Sequence, residues 1–113
     1  MSSEETIFDT ACQTFSGLKK YPKMYLRGDI TYLAIETYIY GYLAGLGCCL
    51  NIDFARKIHI WFQEKVKERN PVIIFTAHVK FYYKDRSEEE HIDILLDLVE
   101  EFFQEEFRRC QGV

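Results

Sequence analysis

The segment YPKMYLRGDITYLAIETYIYGYLAGLG, residues 21–47, decides the fold that we predict for this chain. It begins with a turn at Pro22, continues as a basic loop and ends in the longest apolar run of the sequence. Asp29 is a good N-cap, because its carboxylate can accept a hydrogen bond from the free amides that begin a helix. Apolar residues lie on nearly every side of residues 30–46, so we predict a central helix packed by several neighbours.

An amphipathic helix is predicted before this segment. Ser2 and Glu5 have the spacing of a capping box, in which each residue satisfies an amide of the other. Apolar side chains then recur every three or four residues through residues 4–16. Gly17 is expected to end this helix, because glycine is common immediately after a helical C-terminus.

Two further helices are predicted towards the C-terminus. Asp53 is expected to cap a helix over residues 54–68, which has a buried aromatic stripe. Ser87 and Glu90 form a second capping box ahead of a helix over residues 88–109. Both segments have an apolar face and an opposite charged face, the pattern of a helix that packs on one side.

Residues 72–84, VIIFTAHVKFYYK, fit two structures. The alternation of side chains suits a β-strand, while the apolar residues also form a helical stripe. A single strand without a partner is not stable, and no second clear strand is present in the sequence. We therefore predict a helix here, and an all-α fold overall, a compact bundle of four to five helices.

The composition indicates a single folded domain over residues 1–113. Apolar residues make up 48% of the chain and aromatic residues 16%, which is enough for a core and excludes disorder. The longest apolar segment contains charged residues and several tyrosines, so we expect no membrane association. The acidic N-terminus lacks the pattern of a signal peptide. These features predict a cytoplasmic protein.

Neither a metal site nor another cofactor is predicted. The cysteines Cys12, Cys48, Cys49 and Cys110 form no CxxC pair. The three histidines are isolated in the sequence, without further ligands at metal-binding spacing. The sequence also has no glycine-rich phosphate loop and no HExxH motif. We therefore predict that the protein is not an enzyme.

The charge distribution suggests a surface for a basic partner. Residues 1–87 contain twelve Lys or Arg and nine Asp or Glu, a net charge of +3. Residues 88–113 contain two Arg and nine Asp or Glu, a net charge of −7. An acidic face of this kind steers a basic protein towards it and adds specificity. The predicted partner-binding residues are Asp85, Glu89, Asp93, Asp97, Glu100 and Glu101.

The basic loop, residues 18–29, provides an alternative binding surface. Its cations alternate with tyrosines, a pattern that can bind phosphates and stack on bases. The predicted nucleic-acid-binding residues of this alternative are Lys19, Lys20, Lys23 and Arg27. A small helical nucleic-acid-associated or regulatory protein would use them. The net charge of −4 and the pI near 5.4 argue against nucleic acid as the main partner.

Self-association is a third hypothesis. The tyrosine-rich helix predicted over residues 30–46 would then be buried in a homodimer instead of in a monomer core. Gly41 and Gly45 lie four residues apart on this helix, a spacing that permits close approach of a second helix.

Several segments of the chain resemble a family of short bacterial helical proteins that are encoded beside secreted toxin domains. The loop of residues 21–26, YPKMYL, precedes Leu33 and the pair Gly41-Tyr42. The match continues in an aromatic third helix and closes in the acidic segment LVEEF, residues 98–102, so it covers roughly residues 18–107. The aromatic residues of the third helix that match are Phe54, Trp61 and Phe62.

This resemblance implies an immunity protein, of the type found in contact-dependent growth inhibition and other polymorphic toxin systems. Such a protein binds one cognate toxin and blocks it. Many of these toxins are nucleases, whose basic active sites bind phosphates. The resemblance therefore implies a helical, cofactor-free inhibitor whose partner is a protein toxin, and the acidic face would imitate the nucleic-acid substrate.

Overall fold

The computed structural model describes residues 2–112 of the chain. Within that range it contains five α-helices, one short 3-10 helix (Pro22–Met24) and no β-strand. The prediction of an all-α fold with four to five helices is confirmed. The helices are, in chain order, α1 (Ser3–Lys20), α2 (Tyr32–Leu50), α3 (Phe54–Val66), α4 (Phe75–Tyr82) and α5 (Glu88–Cys110).

The helices are grouped in two compact units. The first unit contains residues 2–30 and 93–112, which are α1, the 3-10 helix and most of α5. The second unit is the continuous segment Thr31–Ile92, which contains α2, α3, α4 and the first turn of α5. The single domain over residues 1–113 stays a prediction.

Aromatic rings form the core of the first unit. The ring of Phe103 on α5 stacks against Phe8 and Phe15 of α1, with centroid distances of 6.2 and 5.8 Å. Phe102 meets Phe103 edge to face at 5.2 Å. All four side chains are buried, and such ring pairs add about 0.5–1.5 kcal/mol each to the stabilisation from burial itself. This cluster joins α1 to α5.

α1 extends beyond the predicted end at residue 16. It continues to Lys20, and Gly17 lies inside the helix. A Cβ atom at position 17 would overlap the hydroxyl of Tyr25, which belongs to the loop after the 3-10 helix. The glycine is therefore explained by the close approach of a tyrosine. The prediction that Gly17 ends the helix is wrong.

In the second unit, α2 packs on α3 and α3 packs on α4. The rings of Phe62 on α3 and Phe75 on α4 meet edge to face at 5.7 Å. Each helix contributes one buried stripe at helical spacing. The apolar core residues of this unit are Tyr32, Ile35, Ile39, Leu43, Phe54, Ile58, Phe62, Phe75, Val79 and Ile92.

α2 differs from the prediction in position and in packing. Thr31 is the N-cap, because its hydroxyl accepts a hydrogen bond from the amide of Ala34, so the prediction that Asp29 caps the helix is wrong. The buried residues of α2 form a single stripe: Tyr32, Ile35, Ile39 and Leu43. A Cβ atom at Gly41 or Gly45 would meet nothing within 4 Å. The prediction of a helix packed on several sides is therefore wrong.

By length and composition alone, α2 is apolar enough to cross a membrane. Helices of soluble proteins can have the same property. The carboxylate of Glu36 on α2 accepts a hydrogen bond from Thr76 of α4, and the buried stripe of α2 packs on α3. These contacts attach α2 to α3 and α4 within the second unit.

α4 confirms the helical interpretation of residues 72–84, although it covers only eight of them. Phe75, Thr76, His78 and Val79 are buried, a spacing that fits one face of a helix and not the alternation of a strand. Two of these four side chains are polar, which is unusual for a buried stripe. Their hydrogen bonds form part of the site described below.

Lys67 explains why α3 ends at Val66, two residues before the predicted end. This lysine has φ of 56°, a left-handed conformation that glycine adopts at lower cost. We expect Lys67→Gly to raise the free energy of unfolding by about 0.5–1 kcal/mol. Glu64→Gly inside α3 is the matched control and should lower it by about the same amount. Urea unfolding of both variants tests this, and a loss of stability in both would contradict it.

Candidate functional site

Four of the six predicted acidic residues belong to the first unit, and we call these four the acidic row. Asp93 and Asp97 are exposed, while Glu100 and Glu101 are half-buried. Asp93, Asp97 and Glu100 lie four and three residues apart on α5, so they occupy one side of the helix. One carboxylate oxygen of Glu101 is buried. The open part of the acidic row is therefore centred on Asp93 and Asp97.

Lys19 at the end of α1 forms a hydrogen-bonded ion pair with Asp97. This bond raises the pKa of the Lys19 ammonium, with smaller contributions from the nearby Asp93 and Glu100 carboxylates. The Asp97 side chain remains 60% exposed, so the pair is a surface contact worth about 0–1 kcal/mol. It neutralises part of the acidic row and brings the basic loop beside it.

Glu106 is a buried carboxylate that the sequence reasoning missed. It is only 5% exposed, and one of its oxygens lies 3.5 Å from the guanidinium of Arg109. The available signal was its position four residues after Phe102 and three after Phe103, which places it on the apolar side of α5. It therefore faces away from the acidic row.

The other two predicted acidic residues, Asp85 and Glu89, belong to the second unit and are exposed. Asp85 precedes the second capping box and Glu89 lies within it. The structure confirms this box, because Ser87 and Glu90 exchange backbone-to-side-chain hydrogen bonds of 3.2 Å. The hydrogen bonds from Ser87 lower the pKa of the Glu90 carboxyl. Glu88 accepts a bond of 3.1 Å from the amide of Tyr32. Acidic residues in this turn thus serve the start of α5.

The basic loop is partly occupied by contacts of its own. Lys19 binds Asp97, and the ammonium of Lys23 donates to the carbonyl oxygen of Gly28 at 2.8 Å. Two of the four cations predicted to bind nucleic acid, Lys19 and Lys23, are therefore engaged within the first unit. Lys20, the last residue of α1, and Arg27 are exposed. Apolar side chains are also exposed on this loop, with exposed fractions of 61% for Tyr21, 80% for Met24 and 38% for Tyr25.

A buried polar cluster in the second unit accounts for several tyrosines of α2. The carbonyl of Thr76 accepts a hydrogen bond of 2.5 Å from the hydroxyl of Tyr32. The amide of Thr76 donates to the hydroxyl of Tyr40 at 3.2 Å, and its own hydroxyl donates to Glu36. Burial, followed by the charges of Glu36 and Tyr40, raises the pKa of Tyr32. This cluster attaches α4 to α2.

Two histidines that are isolated in the sequence meet in the structure. His59 Nε2 on α3 lies 3.0 Å from His78 Nδ1 on α4, and His78 Nε2 lies 3.3 Å from a carboxylate oxygen of Glu68. His78 is fully buried and His59 is half-buried. Among residues 2–112, no group of three or more His, Cys, Asp or Glu side chains is arranged to hold a metal ion.

The four thiols differ in environment, and we expect their alkylation rates to differ accordingly. Burial, with the nearby Glu100 and Asp9 carboxylates, raises the pKa of the Cys12 thiol to about 11. This lowers the thiolate fraction about a hundredfold relative to the ordinary value of 9.0. Cys48 and Cys49 are exposed. Iodoacetamide near neutral pH should modify these two first, and mass mapping that finds Cys12 modified as fast would contradict the expectation.

Comparison with known proteins identifies no relative of this chain: no family model, no curated protein and no solved structure matches it. The acidic row, the basic loop and the polar contacts of α4 must therefore be interpreted from their own chemistry. Of these, the acidic row presents charge to solvent, whereas the contacts of α4 are internal to the second unit.

Proposed function

We propose that this chain is a cytoplasmic immunity protein that binds one cognate bacterial toxin domain and blocks its active site or its substrate surface. The observation that carries the proposal is the acidic row, which presents the carboxylates of Asp93 and Asp97 on one side of α5 in the first unit. The all-helical fold agrees with the family resemblance of residues 18–107. The toxin domain is proposed to be a nuclease.

Charge complementarity favours a basic partner. A nuclease must attract phosphates, so its active site presents Lys and Arg side chains to solvent. Carboxylates at the spacing of Asp93, Asp97 and Glu100 can occupy the positions of phosphates and compete with the nucleic acid. Such charges accelerate encounter and reject wrong partners, while packing sets the lifetime of the complex.

The exposed apolar residues of the basic loop supply packing next to the acidic row. Tyr21 and Met24 follow Lys19 in the chain, and Lys19 is bonded to Asp97. Tyrosine and methionine are enriched at the centres of protein interfaces, where they lose their hydration on binding. We therefore place Tyr21 and Met24 in the toxin-binding surface together with Asp93 and Asp97.

Binding to nucleic acid through the loop is the second candidate, favoured by exposed Lys20 and Arg27 beside Tyr21 and Tyr25. Generic RNA and DNA should bind weakly at low salt and not at physiological salt, because two loop cations are engaged elsewhere and the net charge is −4. Micromolar binding at physiological salt that is lost in Lys20→Ala/Arg27→Ala would favour this candidate over toxin inhibition.

Complex formation tests the proposed function. The proposal implies that a toxin domain is encoded next to this chain. That domain, in a catalytically inactive form, is mixed with the purified protein, and the complex is measured by size exclusion with light scattering. We expect a one-to-one complex. The absence of a complex at micromolar concentrations would overturn the proposal.

The same measurement on the protein alone tests self-association, since a dimer would favour burial of the exposed side of α2.

A further inference from the structure

The hydrogen bonds among Glu68, His78 and His59 form a continuous chain in the second unit, from a half-buried carboxylate through a buried imidazole to a half-buried one. Since an ionised carboxylate can only accept, His78 Nε2 carries the proton that points to Glu68. His78 Nδ1 then accepts the hydrogen bond from His59 Nε2. This arrangement defines the tautomer of both rings in the neutral state.

The chain accommodates one additional proton but not two. With one additional proton, one nitrogen of the pair still donates and the other still accepts, so the hydrogen bond between the rings is kept. With two, both nitrogens that are 3.0 Å apart carry protons and both rings are cationic, so the bond is replaced by repulsion. His78 has no exposed surface through which water could compensate.

α4 depends on this contact more than a longer helix would. It has eight residues, and its N-cap residue, Ile74, makes no side-chain cap hydrogen bond. On the side of α3, α4 is held by the histidine pair and by edge-to-face contacts of Phe62 with Phe75, His78 and Tyr82. On the side of α2, it is held by the hydrogen bonds of Thr76.

We propose that the Glu68–His78–His59 chain is a pH-sensitive contact that holds α4 against α3 while at most one of the two imidazoles is protonated. Protonation of both releases α4. This pH-sensitive contact is independent of the proposed toxin binding, because none of its three residues belongs to the acidic row or to the basic loop.

The other titratable groups around the pair do not cancel this effect. Glu68, in the segment after α3, is the carboxylate that faces His78. On α2, the groups are Tyr32, Glu36 and Tyr40, and all three are bonded to Thr76. On α4 itself, the ammonium of Lys80 lies 5.0 Å from the ring centre of Tyr32. From α5, His91 Nε2 lies 2.9 Å from the carbonyl oxygen of Tyr83, the C-cap residue of α4. Glu68 can stabilise the first proton on the pair, but no second carboxylate contacts the histidines among these groups.

The direction of the pH dependence follows from His59. Burial, followed by the charge of His78, lowers the pKa of His59 in the folded state. The unfolded chain therefore binds more protons than the folded chain below the ordinary histidine pKa of about 6.5. This contribution to stability is complete above that pH and is lost as the pH falls towards the folded pKa. The folding equilibrium constant falls up to about tenfold per pH unit in this window.

Two measurements on the full chain test the proposal. In the first, urea unfolding between about pH 8 and about pH 5 compares the wild type with His59→Gln, and His91→Gln is the matched control. We expect His59→Gln to lose most of the pH dependence that the wild type shows, and His91→Gln to retain it. Equal pH dependence in the wild type and His59→Gln would overturn the proposal.

The second measurement uses the wild type and does not depend on a variant that folds. Nitrogen-detected NMR of the imidazoles should show a protonated Nε2 and an unprotonated Nδ1 on His78 at about pH 8. As the pH falls, amide exchange, corrected for its intrinsic rate, should increase at least tenfold in α4 and less in α3. Protection of α4 that does not change with pH would overturn the proposal.

Discussion

Reversing Asp93 and Asp97 to lysine is expected to weaken toxin capture about 100-fold at physiological salt, with helicity unchanged. Both carboxylates are exposed, and both would face a basic partner. The double variant places two cations where the partner requires anions, so it removes attraction and adds repulsion. Association rates measured by surface plasmon resonance should account for much of the loss, and the affinity should no longer fall with added salt.

A variant of equal charge controls for the change in net charge. Glu4→Lys/Glu64→Lys alters the same number of exposed acidic residues outside the acidic row and the basic loop and should change the affinity less than about threefold. Glu101 is not substituted, because one of its carboxylate oxygens is buried. A lysine at this position would change the stability of the fold as well as the charge of the acidic row. If the two double variants weaken capture equally, the acidic row is not the binding surface.

A substitution of Lys19 tests the acidic row in the opposite direction, because it is expected to strengthen toxin capture. Lys19→Gln removes the ion pair and leaves Asp97 more negative in the acidic row. Capture should become several-fold tighter, with a change in stability below about 1 kcal/mol. Weaker capture by Lys19→Gln would indicate that the toxin contacts the basic loop through this cation.

Truncating Phe103 to alanine should lower the free energy of unfolding by about 3–5 kcal/mol. Its ring contacts Phe8, Phe15 and Phe102, and it has no exposed surface. The substitution removes the apolar contacts of α5 with α1 and leaves a cavity that neighbouring rings cannot fill without leaving their rotamers. Since small domains have only about 5–15 kcal/mol of stability, the variant should be unfolded or close to its midpoint at moderate urea.

Phe81→Ala is the matched control. The same chemical change occurs at a side chain that is 59% exposed, and the expected loss is about 0.5 kcal/mol. Urea unfolding followed by far-UV circular dichroism measures both variants. A loss below about 1.5 kcal/mol for Phe103→Ala would show that the aromatic cluster does not join α1 to α5.

Local signals in the sequence predicted local structure well. The capping boxes of Ser2 with Glu5 and of Ser87 with Glu90 are confirmed, because each pair is three residues apart and satisfies amides of its own helix. The helical choice for residues 72–84 is confirmed as well, since the buried residues of α4 follow a helical stripe. Periodicity also predicted correctly that Asp93 and Asp97 are exposed.

Features that depend on distant segments could not be predicted. Gly17 has the identity of a helix terminator, but its role is to accommodate Tyr25. His59 and His78 are 19 residues apart, and their contact exists only because α3 and α4 pack together. Lys19 and Asp97 are 78 residues apart in the sequence. They were therefore assigned to two separate surfaces of opposite charge, although they form an ion pair in the structure.

Survival of cells measures whether this chain neutralises a toxin. The proposed function implies that a toxin domain is encoded next to the chain, and that domain is expressed from an inducible promoter with or without this protein. We expect cells to survive with the wild-type chain, and to survive about as poorly with Asp93→Lys/Asp97→Lys as without the chain. Death of cells that contain the wild-type chain at levels above those of the toxin would contradict it.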